Sequence, residues 1–331
     1  MSTQKKFDAI IVGAGPIGLA IAIALKKKDI SYLIIEKGCL VNSIYNFPSK
    51  MTFFTYNYDI AIGGIPFASD PVRPTRQEAL AYYRSVTQSQ NLNINLYEEV
   101  TDINGSDGNF QVITKTTKAP RINNTYSAKK IFIATGYFDN PNVLNIEGEN
   151  NPELCSHYYT DPHPFFGKHV AIIGGGNSAA EAALDLYRHG VRVTIIHKGS
   201  ELKEAIKYWV MPDIQGRIRE GQITAFFNAT VRNITPKKLL LLSQGKELIL
   251  EDVDFTFALT GYHPNYEFFK KIGLLLNEDG SVQLEDKTFE ASSKKGVFVI
   301  GSAAYGKHLN KIFIENGRLE AVEAVNELII D

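Results

Sequence analysis

The sequence predicts an α/β chain of two Rossmann-like dinucleotide-binding domains, three-layer in type and carrying an antiparallel appendage. Three observations predict it. The first is a pair of glycine motifs, Gly13-Ala14-Gly15-Pro16-Ile17-Gly18 and Gly174-Gly175-Gly176-Asn177-Ser178-Ala179, each lying between two apolar runs. The second is matched spacing: 23 positions separate Gly13 from Glu36 and Gly174 from His197, and each of these two residues closes the next apolar run. The third is a repeated strand end, Thr135-Gly136-Tyr137 and Thr260-Gly261-Tyr262, which brackets the second motif.

Each motif reads as strand, tight turn and helix. Phe7 to Val12 precedes the first and Leu19 to Leu25 follows it; His169 to Ile173 precedes the second and Ala179 to Tyr187 follows it. The first glycine permits the turn, the second lets a pyrophosphate approach the backbone, and the third position must be small for the helix to pack on the strand. The N–H groups at the helix start then meet negative charge. Glu36 ends the second strand of the first unit, Tyr32 to Ile35, with a carboxylate. A carboxylate accepts hydrogen bonds from a ribose diol and suits FAD or NAD. His197 and Lys198 end the corresponding strand, Val193 to Ile196, with basic groups. Basic groups favour a 2′-phosphate, which predicts NADPH, with Gly174, Gly176, Asn177, Ser178, His197 and Lys198 as its contacts.

Between Lys37 and Phe67 the chain is aperiodic and aromatic, a composition that argues for an ordered loop, either packed or walling a ligand pocket. Thr75 and Glu78 read as a capping box opening a helix that runs to about Gln90. Arg73 and Arg76, at its start, read as a solvated helix end or as contacts to an anionic ligand. Leu92–Leu96, Val100–Ile103 and Phe110–Thr114 read as strands, with Gly105 to Gly108 as the hairpin turn; these form the appendage. The two Thr-Gly strand ends mark crossings, so residues 138–259 are expected to form a domain inserted into a discontinuous one made of 1–137 and 260–331. A strand from Gly296 to Ile300 and a helix from about Ile312 to Leu328 close the discontinuous domain.

The formal net charge of -1 supplies no field for nucleic acid or an anionic membrane. Ala9 to Leu25 is weakly polar enough to suggest a membrane span, but three glycines and Pro16 within it favour a buried strand and helix. Two cysteines, Cys39 and Cys155, stand far apart and form no Cys-x-x-Cys pair. Such scarcity, with an opening stretch that lacks an export signal, makes a cytoplasmic location the expectation. His157, His163 and His169 recur at a spacing of six, which matches no zinc motif, so no metal is expected.

In motif order the chain resembles the low-molecular-weight thioredoxin-reductase-like flavoproteins. Within that family it is most similar to the bacillithiol-disulfide reductase branch, through Leu40 to Pro48, Met51 to Phe54, Pro74-Thr75-Arg76, Ser156 to Tyr159, Ile206 to Trp209 and Ile312 to Arg318. The resemblance implies FAD in the first domain and NADPH in the second, a homodimer, and a rotating NADPH domain with hinges near Tyr137 and Tyr262. The FAD contacts expected are Gly13, Gly15, Pro16, Ile17, Gly18, Glu36, Lys37, Asn42, Thr52, Gly136, Gly301, Ser302, Lys311 and Ile312. Hydride passes from NADPH to the flavin without a side-chain acid or base.

Departures from the pattern bear on the acceptor. Thioredoxin reductases carry Cys-x-x-Cys where this chain has His157-Tyr158-Tyr159-Thr160, which excludes a dithiol relay to thioredoxin. The bacillithiol branch typically has one cysteine just before the third glycine of the first motif, and here that residue is Ile17. Cys39 and Cys155 are weak substitutes. Gly301-Ser302 stands where the wider family has Gly-Asp against the ribityl chain, so the hydroxyl, with the N–H groups of Ala303 and Ala304, is expected to serve there. A low-molecular-weight disulfide of the bacillithiol type is the expected acceptor. A ferredoxin-like electron carrier is an alternative, as is oxygen, since Ser156 to Tyr159 with Gly174 to Ser178 also resembles flavin-containing monooxygenases; a non-enzymatic redox sensor is the reading from a different class.

Overall fold

The computed structural model describes residues 5–70, 72–285, 288–308 and 312–328. The chain divides into two compact units: the first holds the residues up to Tyr45, Thr52–Asn140 and those from Tyr262 onward, the second Asn46–Met51 and Pro141–Gly261.

The first unit starts with β1 (Lys6–Val12), α1 (Pro16–Lys27) and β2 (Tyr32–Glu36). The apolar run at 9–25 is therefore a strand and a 12-residue helix, and no helix among the described residues is long and apolar enough to cross a membrane. Pro16 presets φ for the first helical turn, and Lys26 and Lys27 meet the negative end of the helix dipole. Between them Leu19, Ile21, Ile23 and Leu25 are buried, each contributing about 1.5–3 kcal/mol.

Two short helices, α2 (Asn42–Tyr45) and α3 (Asn57–Ile60), order the aromatic loop, followed by α4 (Arg76–Ser89). The Thr75–Glu78 capping box is formed. The phenols of α4 staple the loop down: Tyr82 donates to the carbonyl of Ile65 at 2.8 Å, Tyr83 to that of Ile60 at 2.9 Å, and Phe67 stacks on Tyr82. The loop is thus partly packed, with Phe53 and Phe67 buried, while Phe54 and Tyr58 stay exposed. Arg76 bonds the carbonyls of Ile44 and Tyr45, and Arg73 that of Phe54, so both arginines serve the loop.

Next come β3 (Ile94–Leu96), β4 (Glu98–Ser106), β5 (Asn109–Thr116) and β6 (Asn123–Ile133). The β4–β5 hairpin turns at Asp107-Gly108, with Ser106 opposite Asn109. β6 is longer than the sequence suggests because it serves three partners: 123–128 pair antiparallel with β5, 131–133 run parallel to the final strand of the unit, and 127–133 run parallel to β1.

The second unit comprises β7 (Cys155–Ser156), β8 (His169–Ile173), α5 (Asn177–Arg188), β9 (Arg192–Ile196), α6 (Met211–Arg219), β10 (Thr224–Phe226), β11 (Ala229–Thr235), β12 (Lys237–Ser243), β13 (Lys246–Val253) and β14 (Phe255–Ala258). Its parallel sheet has the order β10-β9-β8-β14-β7, with a separate antiparallel sheet β11-β12-β13. Alternation along β8 makes three layers: Val170 and Ile172 pack with the alanines of α5, while Ala171 and Ile173 face Leu239 and Leu241 of β12. The segment 46–51 joins this unit because Ser49 donates its N–H to the carbonyl of Thr160 and its hydroxyl to Asp161.

The first unit resumes with α7 (Tyr266–Lys271), β15 (Val297–Val299) and α8 (Ile314–Asn326). Its sheet has the order β3-β2-β1-β6-β5-β4, with β15 beside β6.

Candidate functional site

In the first unit the glycine turn sits at the carboxyl end of β1, where open α/β sheets bind ligands. Gly13 has φ +107, and a Cβ there would stand 2.7 Å from the carbonyl oxygen of Ala134. A Cβ on Gly18 would overlap the Gly13 carbonyl, so both glycines are demanded by the protein itself. Gly15 differs: a Cβ there would meet nothing within 4 Å, and no side chain caps the helix it precedes. Open space beside unsatisfied helix N–H groups fits a diphosphate.

Glu36 is buried, and its two carboxylate oxygens accept the N–H groups of Ala14 and Gly38, each at 2.8 Å. Burial raises its pKa, an effect those two donors oppose. Each oxygen keeps a lone pair for a ligand hydroxyl. The following loop is drawn in by Val41, whose N–H reaches the carbonyl of Ala14. Val41 takes φ 46, a strained value for a β-branched residue. Asn42 accepts from the N–H of Cys39, and Lys37 pairs with Asp139 at 3.0 Å.

Two further turns converge on the first. Gly136 has φ +64 and faces the Ser302 hydroxyl, which would lie 3.6 Å from a Cβ on the glycine. Beside it the Thr135 hydroxyl is buried without a hydrogen-bond partner among the described residues. Gly301, at φ +69, leaves 3.1 Å between its missing Cβ and Ile17. The structure therefore brings Gly13 to Gly18, Gly136, Gly301 and Ser302 together. Ile312 is buried, the Thr52 backbone forms a bridge to Thr75, and Lys311 lies outside the described residues.

In the second unit Gly174 has φ +149, and a Cβ there would lie 2.5 Å from the Leu259 carbonyl oxygen. The His197 ring is clamped between the backbones of Gly175 and Gly199, either of which would collide with it if it bore a Cβ. Burial, then Lys203 and Lys198, depress its pKa below the ordinary imidazole range. The exposed cations are Lys198 and Lys203. Sequence reasoning missed Lys203, whose N–H donates to the carbonyl of Gly175 and whose Cδ lies 3.8 Å from where a Gly176 Cβ would be. The contact arises from a chain reversal that periodicity does not reveal.

Ser178 is exposed at the start of α5, while Asn177 bonds Glu181 through its amide and accepts the N–H of Lys207. Lys207 in turn pairs with Glu181 at 2.7 Å, fixing 203–207 against the helix start. The residues present fit a dinucleotide whose anionic groups meet α5 and its overhanging lysines.

Neither cysteine is poised as a nucleophile. Cys155 is 4% exposed, and burial with the nearby Glu149 pushes its thiol up to about 11. Cys39 is half-buried, its thiol raised by burial and directed at Asn42. His157 contacts the Ala258 carbonyl and the Glu149 carboxylate. Among the described residues no group of histidine, cysteine and carboxylate side chains could hold a metal ion.

Residues 10–301 match the pyridine nucleotide-disulphide oxidoreductase family, and the chain belongs to that family of oxidoreductases, which implies a flavin and a nicotinamide cofactor. It is 41% identical over 321 residues, 97% of each chain, to bacilliredoxin reductase Bdr of Bacillus subtilis. Among solved structures it is similar to bacillithiol disulfide reductase Bdr (YpdA) from Bacillus cereus, with TM-score 0.93 and 39% identity over 97% of this chain and 98% of that one. The corresponding protein of Staphylococcus aureus gives 0.91 and 37% over 98% of each.

Proposed function

We propose that the chain is an NADPH-dependent FAD oxidoreductase that reduces a low-molecular-weight disulfide of the bacillithiol type. The similarity over nearly the whole length to the three Bdr proteins carries this reading. When bound, the nicotinamide supplies a hydride to the flavin. The chain's own residues bind and orient: Gly13, Gly15 and Gly18 with the start of α1 take the FAD diphosphate, and Glu36 takes ribose hydroxyls. Gly174 and Gly176 with the start of α5 take the NADPH diphosphate, and Lys198 and Lys203 take the 2′-phosphate, beside a His197 that a bound dianion would help to protonate. Reducing the disulfide to two thiols would take two electrons and two protons, of which a reduced flavin would supply the electrons and one proton and water the other. A cytoplasmic location suits two cysteines that are both free.

A second reading, a small electron-carrier protein as acceptor, is favoured by two observations: Ile17 fills its site against Gly301 and Gly317, and both thiols are raised and sheltered. The test is anaerobic. The purified protein is reduced with one equivalent of NADPH, bacillithiol disulfide is added, and flavin absorbance is followed. Rapid return of the oxidised spectrum supports the disulfide reading; a flavin that stays reduced removes it in favour of the carrier.

A further inference from the structure

The Gly301–Ser302 turn lacks an acid of its own, yet a carboxylate holds it from behind. Glu320, on α8, accepts the N–H of Gly301 through Oε2 at 3.1 Å and the phenol of Tyr305 through Oε1. One side chain thus ties both ends of the segment 301–305.

The surrounding packing leaves that segment little freedom. Gly301 sits at φ +69, a backbone setting that side-chain-bearing residues rarely adopt. On one side stands Ile17 of α1. On the other stands Gly317 of α8, whose missing Cβ would be 2.9 Å from Ile17 Cδ1 and 3.5 Å from the Gly301 Cα. Glu320 follows Gly317 by three positions, which puts it on the same helix face. The helix therefore approaches through a glycine and then hydrogen-bonds with a carboxylate. Ser302, next in the turn, faces Gly136.

We propose that Glu320 is a positioning residue for the flavin: by clamping Gly301 and Tyr305 it fixes the turn whose Ser302 hydroxyl and following N–H groups meet the cofactor. This rests on the reading of the first unit as the FAD site. The carboxylate acts through the turn and does not touch the reacting atoms. Serine at 302 offers a weaker bond than a carboxylate would, so alignment of the turn carries more of the affinity.

The test is titration of apoprotein with FAD, followed by flavin fluorescence, in the wild type and in Glu320→Ala, Glu320→Gln and Tyr305→Phe, with the dissociation constant for NADPH measured on the same samples. Loss of hydrogen bonds to a charged group should weaken FAD in Glu320→Ala about tenfold or more. NADPH binding should not change, because its contacts lie in the other unit. Glu320→Gln keeps an acceptor for Gly301 and should recover most of the affinity, and Tyr305→Phe should fall between. Wild-type FAD affinity in Glu320→Ala overturns the proposal. So does equal loss in the alanine and glutamine variants, or loss of NADPH binding together with FAD, which marks general unfolding. A wild-type protein that takes up no FAD would instead overturn the reading of the first unit.

Discussion

The two glycine turns share one backbone plan and differ in what lies at the end of the neighbouring strand. In the first, Glu36 is drawn inward and bonded to the N–H groups of the turn it serves. In the second, His197 is packed between glycines, and the charge stands outside on Lys198 and Lys203. A buried acceptor suits neutral hydroxyls that enter without their own charge. Exposed ammonium groups suit a phosphate that arrives with one. The same supersecondary unit is thus fitted to two nucleotides by the side chains at its rim.

The largest effect is expected from Gly13→Ala, which forces a Cβ against the Ala134 carbonyl at φ +107. Stability should fall by about 2–4 kcal/mol in thermal or urea unfolding, with loss of bound flavin. A variant of wild-type stability would break the comparison at its backbone plan. Next comes Lys203→Glu. NADPH affinity should drop about 10- to 100-fold while NADH changes little, and equal losses for both nucleotides would remove Lys203 from phosphate reading; Lys198→Glu should act the same way.

His197 supplies a pH test. Its folded pKa lies below the ordinary 6.5, so the stability it contributes is full above that value and is lost as the pH falls through the folded pKa. Unfolding free energy measured from pH 7.5 down to 5.5 should decline in the wild type and decline less in His197→Gln. Identical slopes would show that the ring is not the titrating group. The smallest effect on the protein itself belongs to Gly15→Ala. A Cβ there meets open space at φ -72, so stability should stay within about 0.5 kcal/mol while FAD affinity falls. Loss of stability without loss of FAD would contradict the assignment of that open face to a ligand.

Much of the fold was legible because it is written locally. The glycine motifs, the Thr75–Glu78 box and a hairpin within Gly105 to Gly108, which the structure narrows to Asp107-Gly108, each depend on neighbours a few residues apart. Glu36 was legible from spacing alone. What escaped depends on distant segments meeting: Lys203 over Gly175, Val41 strained against Ala14, and Glu320 beneath Gly301, which in sequence is one acidic residue among several on an amphipathic helix. The antiparallel sheet of residues 229–253 also escaped, because its strands Lys237–Ser243 and Lys246–Val253 lack clean alternation. The backbone bridge of Thr52 to Thr75 was not legible either. His197 was expected at the 2′-phosphate; the clamp of Gly175 and Gly199 on its ring is invisible in a one-dimensional pattern.

The central claim is that the first turn takes FAD and the second takes NADPH within one working oxidoreductase. Its most direct test is to mix the FAD-loaded protein anaerobically with equal concentrations of NADPH or NADH and follow loss of the oxidised flavin absorbance. The account predicts prompt bleaching by NADPH at a rate well above that with NADH. Equal rates with the two nucleotides, or a flavin that neither of them reduces, would contradict it.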